Sequence, residues 1–200
     1  MRALNGDANM KNYQRLLATA QGGRQAYERV ELAPRLMDDV WLDSFAAGTV
    51  GAAYRDFIRS EHLSAEGLAE LSRQRSSRAE ERHPYAWFGR RIRDTHDIWH
   101  ILSGYHRDGT GEACLVAFSY AQTRGLGWAL IALGAGWRVL KAGSMPHARA
   151  IWQGYRRGKA ANWLPGEDFT ALMNGPLETA RRRLNITPAT AYEAIPAAMR

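Results

Sequence analysis

Five consecutive residues, His96-Asp97-Ile98-Trp99-His100, are followed after eleven more by Glu112. Two imidazoles and two carboxylates are thus gathered in a short stretch of chain. Their nitrogen and oxygen donors suit zinc, iron or manganese, and no thiolate of the kind found in closed structural zinc sites stands among them. Such a set favours a catalytic centre with one open coordination position. On a helix turning about 100° per residue, His96 and His100 lie about 40° apart, one turn above each other, and Asp97 shares their sector. Glu112 is too distant for that turn and has to return from the next element. Gly104, Gly109 and Gly111, with Asp108 beside them, have the composition of a sharp reversal. The expectation is a helical hairpin that carries Glu112 back to the His-Asp-His face. The bland alternative is a hydrogen-bonded core pair of histidines, with Asp97 serving an arginine.

The elements around this hairpin read as helices. Asn12 to Ala20 is expected to be helical and to end at Gly22-Gly23. Pro34 to Ala47 and Val50 to His62 follow with apolar residues at helical spacing, and Ser64 caps a segment from Ala65 to Arg75. Pro84 opens a central helix to about Tyr105. A second central helix runs from Gly111 to about Leu140, apolar on most sides and therefore buried. Pro146 starts another helix, Leu164-Pro165-Gly166 turns the chain, Phe169 to Met173 makes one helical turn, Pro176 to Leu184 forms a last full helix, and Pro188 begins a small C-terminal cap. No stretch alternates with period two for long enough to demand a sheet. The chain of 200 residues is expected to be all-α, a single helical domain over 1–200 with a buried central hairpin carrying the metal site.

Composition narrows the setting. The lone cysteine, Cys114, forms no internal disulfide and reads as core packing. Met1 to Met10 shows no apolar signal region, so a bacterial cytoplasmic protein is the simplest expectation. The apolar stretch from Gly125 to Trp137 is thirteen residues, too short to span a bilayer as a helix. The net charge is +7, mostly from arginine in clusters: Arg73, Arg75, Arg78 and Arg82; Arg90, Arg91 and Arg93; Arg156, Arg157 and Lys159; Arg181, Arg182 and Arg183. These clusters read as solvated helix faces or as attraction for anionic lipid. Nucleic acid is not expected, because no zinc-finger, RNA-binding or helix-turn-helix signature accompanies the charge. Seven tryptophans beside basic clusters favour a peripheral position at a membrane surface and a homodimer.

At these residues the chain resembles the coenzyme Q (ubiquinone) biosynthesis protein 4 family. The resemblance is carried by Arg91-Ile92-Arg93-Asp94-Thr95-His96-Asp97-Ile98-Trp99-His100, by Gly111-Glu112, by Phe118, and by Ala121-Gln122-Thr123. A second stretch runs from Trp163-Leu164-Pro165 to Leu172-Met173-Asn174-Gly175-Pro176-Leu177, and the whole covers about residues 45 to 190. The chain departs from the family at Val116 and Ala117, where a basic residue is usual before Phe118. It departs again at Arg124, where the family continues with Gly-Leu-Pro, and over its first forty-odd residues.

The resemblance implies that His96, Asp97, His100 and Glu112 hold a divalent metal, most often zinc, with Fe2+ or Mn2+ as alternatives. It implies ubiquinone biosynthesis. The substrate would be a polyprenylated hydroxybenzoate with its isoprenoid tail in an apolar groove, and the activity a lyase of decarboxylase type, which can be coupled to ring hydroxylation. It also implies other ubiquinone-biosynthesis proteins as partners at the inner face of the bacterial membrane. Leu115, Phe118, Leu126, Trp128, Leu130, Ile131 and Leu133 are candidates to line the groove or else plain core. Glu112 is the candidate catalytic carboxylate. Asp94 could orient a ligand imidazole, and Arg93 or Arg91 could bind the substrate carboxylate. Three readings compete. One is a lipid-binding scaffold that organises the biosynthetic complex around a structural metal. Another is a helical metallohydrolase, for which His62, His83, His106 and His147 lack the required spacing. The third is a divergent paralogue acting on another isoprenoid quinone or carotenoid-like lipid, to which the departures after Thr123 point.

Overall fold

The computed structural model describes residues 2–60, 84–125, 134 and 144–200, with side chains from residue 7 onward. These residues form an all-α domain with no strand among them; Thr49 and Pro176 make an isolated bridge. No helix of the described residues is long and apolar enough to cross a membrane. The expected helix from Ala65 to Arg75, the arginines from Arg73 to Arg82, and the candidate groove residues Leu126, Trp128, Leu130, Ile131 and Leu133 lie outside the described residues.

The N-terminal helices differ from the expectation in where they break. Helix α1 spans Arg2–Leu17 and α2 spans Ala20–Glu28, so Gly22 and Gly23 lie inside a helix instead of ending one. The break falls at Thr19, which is extended and accepts a hydrogen bond from the Gly22 N–H. A Cβ on Gly22 would stand 2.0 Å from the Leu16 carbonyl oxygen, so this glycine lets α2 fold back against the end of α1. The segment expected as one helix from Pro34 is two, α3 (Ala33–Leu36) and α4 (Asp39–Asp43). Asp38 separates them because its carboxylate accepts the N–H groups of Val40 and Trp41 and caps α4. Helix α5 (Val50–Ser60) follows Gly48, whose φ of 81° suits glycine.

The central helix expected from Pro84 to Tyr105 is also divided. Helix α6 covers Pro84–Asp94 and α7 covers His96–Ser103. The Thr95 hydroxyl at the joint donates to the Arg91 carbonyl at 2.9 Å, a back-bond that competes with the helical ladder. Helix α8 (Gly109–Thr123) starts two residues before the expected point and stops at Arg124, far short of Leu140. Arg124 is left-handed (φ 56°), and its N–H closes on the Tyr120 carbonyl. The remaining helices among the described residues are α9 (Met145–Ala160), α10 (Phe169–Met173), α11 (Leu177–Arg183) and α12 (Thr190–Glu193), with short 3-10 turns at Leu164–Gly166 and Ala197–Met199.

The hairpin of α7 and α8 lies in the main core, where Ile98, Trp99, Leu102, Leu115 and Phe118 are fully enclosed. Helix α9 packs along α8 at backbone distance. A Cβ on Gly154 would come within 2.6 Å of the Cys114 carbonyl, and one on Gly158 within 2.5 Å of that of Phe118. The two glycines are one helical turn apart and face two carbonyls one turn apart. Leu115 and Phe118 are therefore packed in the core, with Phe118 set edge-on against Trp99. A smaller cluster of Tyr13, Leu16, Trp87 and Phe88 ties α1 to α6.

Candidate metal centre

His96, Asp97 and His100 stand on the first turn and a half of α7, and their ligand atoms all lie within 4.8 Å of one another. The imidazole rings are 4.9 Å apart and nearly perpendicular. Asp97 Oδ1 is 3.6 Å from His96 Nδ1. Glu112, in the first turn of α8, lies outside this three-residue group, but its Oε1 is 3.3 Å from His100 Nε2.

The reversal that returns Glu112 is tightly fixed. Gly104 ends α7 in the left-handed region (φ 76°). The Asp108 carboxylate caps α8 by accepting the N–H groups of Thr110 and Gly111. Gly111 is required by a close approach, since a Cβ there would sit 2.0 Å from the His106 carbonyl. Gly109, by contrast, faces open space. Tyr192 on α12 locks the loop, its hydroxyl donating to Asp108 and accepting from the His106 N–H.

The far end of α7 is also secured. Arg181 donates to the carbonyls of Ile101 and Leu102, and Arg157 to that of Ser103. Carbonyls at a helix C-terminus lack intrahelical partners and attract cations. Two arginines from clusters expected to be solvated faces thus act inside the fold; Arg157 is buried and also stacks 4.8 Å from the Tyr105 ring.

His100 is the most constrained donor. Its side chain is fully buried, and the Phe57 ring of α5 stacks on it at 5.7 Å. Nδ1 lies 2.9 Å from the Tyr105 carbonyl oxygen. A carbonyl only accepts, so Nδ1 carries a proton, and in the neutral ring the Nε2 lone pair points at Glu112. That buried Nε2 has no hydrogen-bond partner. A lone pair and a carboxylate oxygen 3.3 Å apart repel unless a proton or a cation stands between them. The donor set fits a divalent metal on this ground. Burial pushes the Asp97 carboxyl up, but His96, Arg107 and His100 outweigh it and hold the group below its ordinary value. Glu112 behaves alike: burial raises it, while His100, His96 and Arg107 bring it down. Both stay ionised and ready to ligate.

The flanking candidates are placed differently. Arg93 donates to Asp94 through Nε and Nη2, at 3.2 and 3.1 Å. Burial raises the Asp94 carboxyl above its ordinary value, with Arg93 working against it. The imidazole of His100 is oriented by the Tyr105 carbonyl, a role foreseen for Asp94. Arg91 faces away from the site, donating to the Glu167 carbonyl, and burial brings its guanidinium down to about 10. The arginine that does reach the site, Arg107, carried no spacing signal in the sequence. It sits in the reversal with Nε 3.8 Å from Glu112 and Nη1 4.0 Å from Asp97. A cleft of about 330 Å3 elsewhere, between Gln21, Asp168, Thr179 and Arg183, includes none of these residues.

Fold and site together define an all-α protein with a candidate metal centre at a helical hairpin. The family model described as Coenzyme Q (ubiquinone) biosynthesis protein Coq4 matches residues 5–190. The chain belongs to that family, and the match extends well into the N-terminal helices that bear no motif residue. A solved structure from Nostoc punctiforme, described as a ubiquinone biosynthesis protein, has the same fold. Its TM-score is 0.65 at 20% identity, over 90% of this chain and 82% of that one. No curated protein matches the sequence.

Proposed function

We propose that the chain acts in ubiquinone biosynthesis as a metal-dependent lyase that decarboxylates a polyprenylated hydroxybenzoate. Family membership supports the pathway. The observation that carries the site is the buried Nε2 of His100, which has no hydrogen-bond partner and faces Glu112 at 3.3 Å. His96, Asp97, His100 and Glu112 are the residues that would hold the ion, which supplies Lewis acidity toward a phenolate or carboxylate oxygen.

The chain's own residues account for the rest. The Tyr105 carbonyl and the Phe57 ring hold His100 in one tautomer and one plane. Loss of the carboxyl group as carbon dioxide leaves an electron pair on the ring carbon, and that carbon takes a proton. That proton comes from solvent water; Glu112, about a third exposed and ionised, serves in this reading as a carboxylate that would hold the ion beside the reacting head. Arg93 and Asp94 neutralise each other on the flank. The isoprenoid tail, the membrane position, the partner proteins and the homodimer belong to the same proposal. The test is metal analysis and carbon dioxide release by the purified protein with a prenylated 4-hydroxybenzoate. One ion per chain, lost in His96→Ala, and turnover lost in folded Glu112→Gln support the reading. Bound metal with no carbon dioxide released would favour the scaffold with a structural metal.

A further inference from the structure

We infer that Arg107 is the anion anchor of this site and selects a ligand bearing a carboxylate over its neutral counterpart. The inference rests on the proposed metal site and adds a specificity-determining residue to it. Arg107 lies between Tyr105, which orients His100, and Asp108, which caps α8, so its backbone is held by the bonds that fix the hairpin. Its guanidinium is about a third exposed and approaches two of the four donors. The distances of 3.8 Å to Glu112 and 4.0 Å to Asp97 are too long for hydrogen bonds. Its Nη1 is enclosed and has no hydrogen-bond partner. A buried N–H left without an acceptor is rare, and a guanidinium offers a planar fork matched to two carboxylate oxygens.

Charge points the same way. The Asp97 and Glu112 carboxylates balance a dication, and the two neutral imidazoles add nothing. Arg107 then leaves the loaded site with one net positive charge in a partly desolvated position. A monoanionic head is the ligand that cancels it. An amide of the same shape would present an N–H group toward the guanidinium and leave its fork half satisfied. Were Arg107 only a counter-ion for the two carboxylates, it would close on them at hydrogen-bond distance, as Arg90 does on Glu31 at 2.6 Å.

The experiment is calorimetric binding of 4-hydroxybenzoate and of 4-hydroxybenzamide to the full chain. It is run both zinc-loaded and chelator-treated, for the native protein, Arg107→Ala and Arg107→Lys. The zinc-loaded native protein should prefer the acid over the amide by roughly tenfold to a hundredfold. Arg107→Ala should lose the preference, and Arg107→Lys should keep part of it, because a point charge replaces the fork. An unchanged preference in Arg107→Ala, or no binding of the acid at millimolar concentration in either form, overturns the inference. If Arg107→Ala tightens zinc binding while the preference stays, Arg107 is a counter-ion alone. Failure of the chain to take up zinc overturns the metal reading and, with it, the charge balance on which the inference rests; in the chelator-treated native protein the two carboxylates outweigh Arg107, and the preference for the acid should be lost.

Discussion

His100 has one ring nitrogen committed to a main-chain carbonyl and the other facing a carboxylate, so in the metal-free protein the neutral ring repels Glu112 while the protonated ring attracts it. Glu112→Gln relieves the repulsion of the neutral ring, because an amide N–H can donate to Nε2. The metal-free variant should melt about 2–4 °C above the native protein at pH 8, for a net gain near 1 kcal/mol. Its zinc affinity should fall at least about tenfold, since a carboxylate ligand is gone. Melting curves in chelator and zinc titrations check both, and a lower melting temperature would refute the assigned tautomer. The His-Asp-His face was legible from spacing alone, because a helix places residues four apart together. Arg107 was not, because a residue in a reversal has no periodicity to betray which way it points.

At the scale of elements, the hairpin depends on a residue 84 positions downstream of Asp108. Tyr192→Phe removes the hydroxyl that braces Asp108 and His106. It should cost about 1.5–3 kcal/mol, read by denaturant unfolding, and weaken zinc binding although Tyr192 touches no donor. The packing of α8 against α9 gives a second prediction. Gly154→Ala forces a methyl group against the Cys114 carbonyl and should destabilise by about 1–3 kcal/mol, whereas Gly109→Ala meets nothing and should be near neutral or slightly stabilising. The hairpin and its turn glycines could be read from composition. The divisions at Thr19, Asp38 and Thr95 could not, because each depends on whether a short polar side chain bonds to the local backbone or turns to solvent. Gly22 and Gly23 looked like a helix end for the opposite reason: Gly22 is there for close packing, which a local reading cannot see.

For the whole molecule, the buried ionisable groups set an alkaline limit. Burial pushes the Cys114 thiol up to about 12 from its usual 9.0, and the Tyr105 phenol up to about 12 from 10.0; Tyr54 is raised as well. In each case the folded chain keeps the proton that the unfolded chain releases. Their stabilisation is complete below pH 9 and is lost as pH rises from 9 toward 12, at about 1.4 kcal/mol per pH unit for each group in transit. Denaturant midpoints at pH 8 and pH 10.5 should show the decline, and Cys114→Ala should shallow it. The +7 charge looked like a surface property in the sequence, yet Arg157 and Arg181 carry part of it to the end of α7. Long-range partners of this kind leave no trace in local pattern.

The arginine caps on α7 have a consequence for the ion itself. In a small zinc-nucleated module the cation and the fold come and go together. Here guanidinium groups and a tyrosine already brace the donors, so stripping the ion with a chelator should leave the helical circular dichroism spectrum intact. Occupancy then becomes a matter of exchange with the surroundings and not of refolding, and the identity of the bound element follows its local supply and its rank among competing divalent ions.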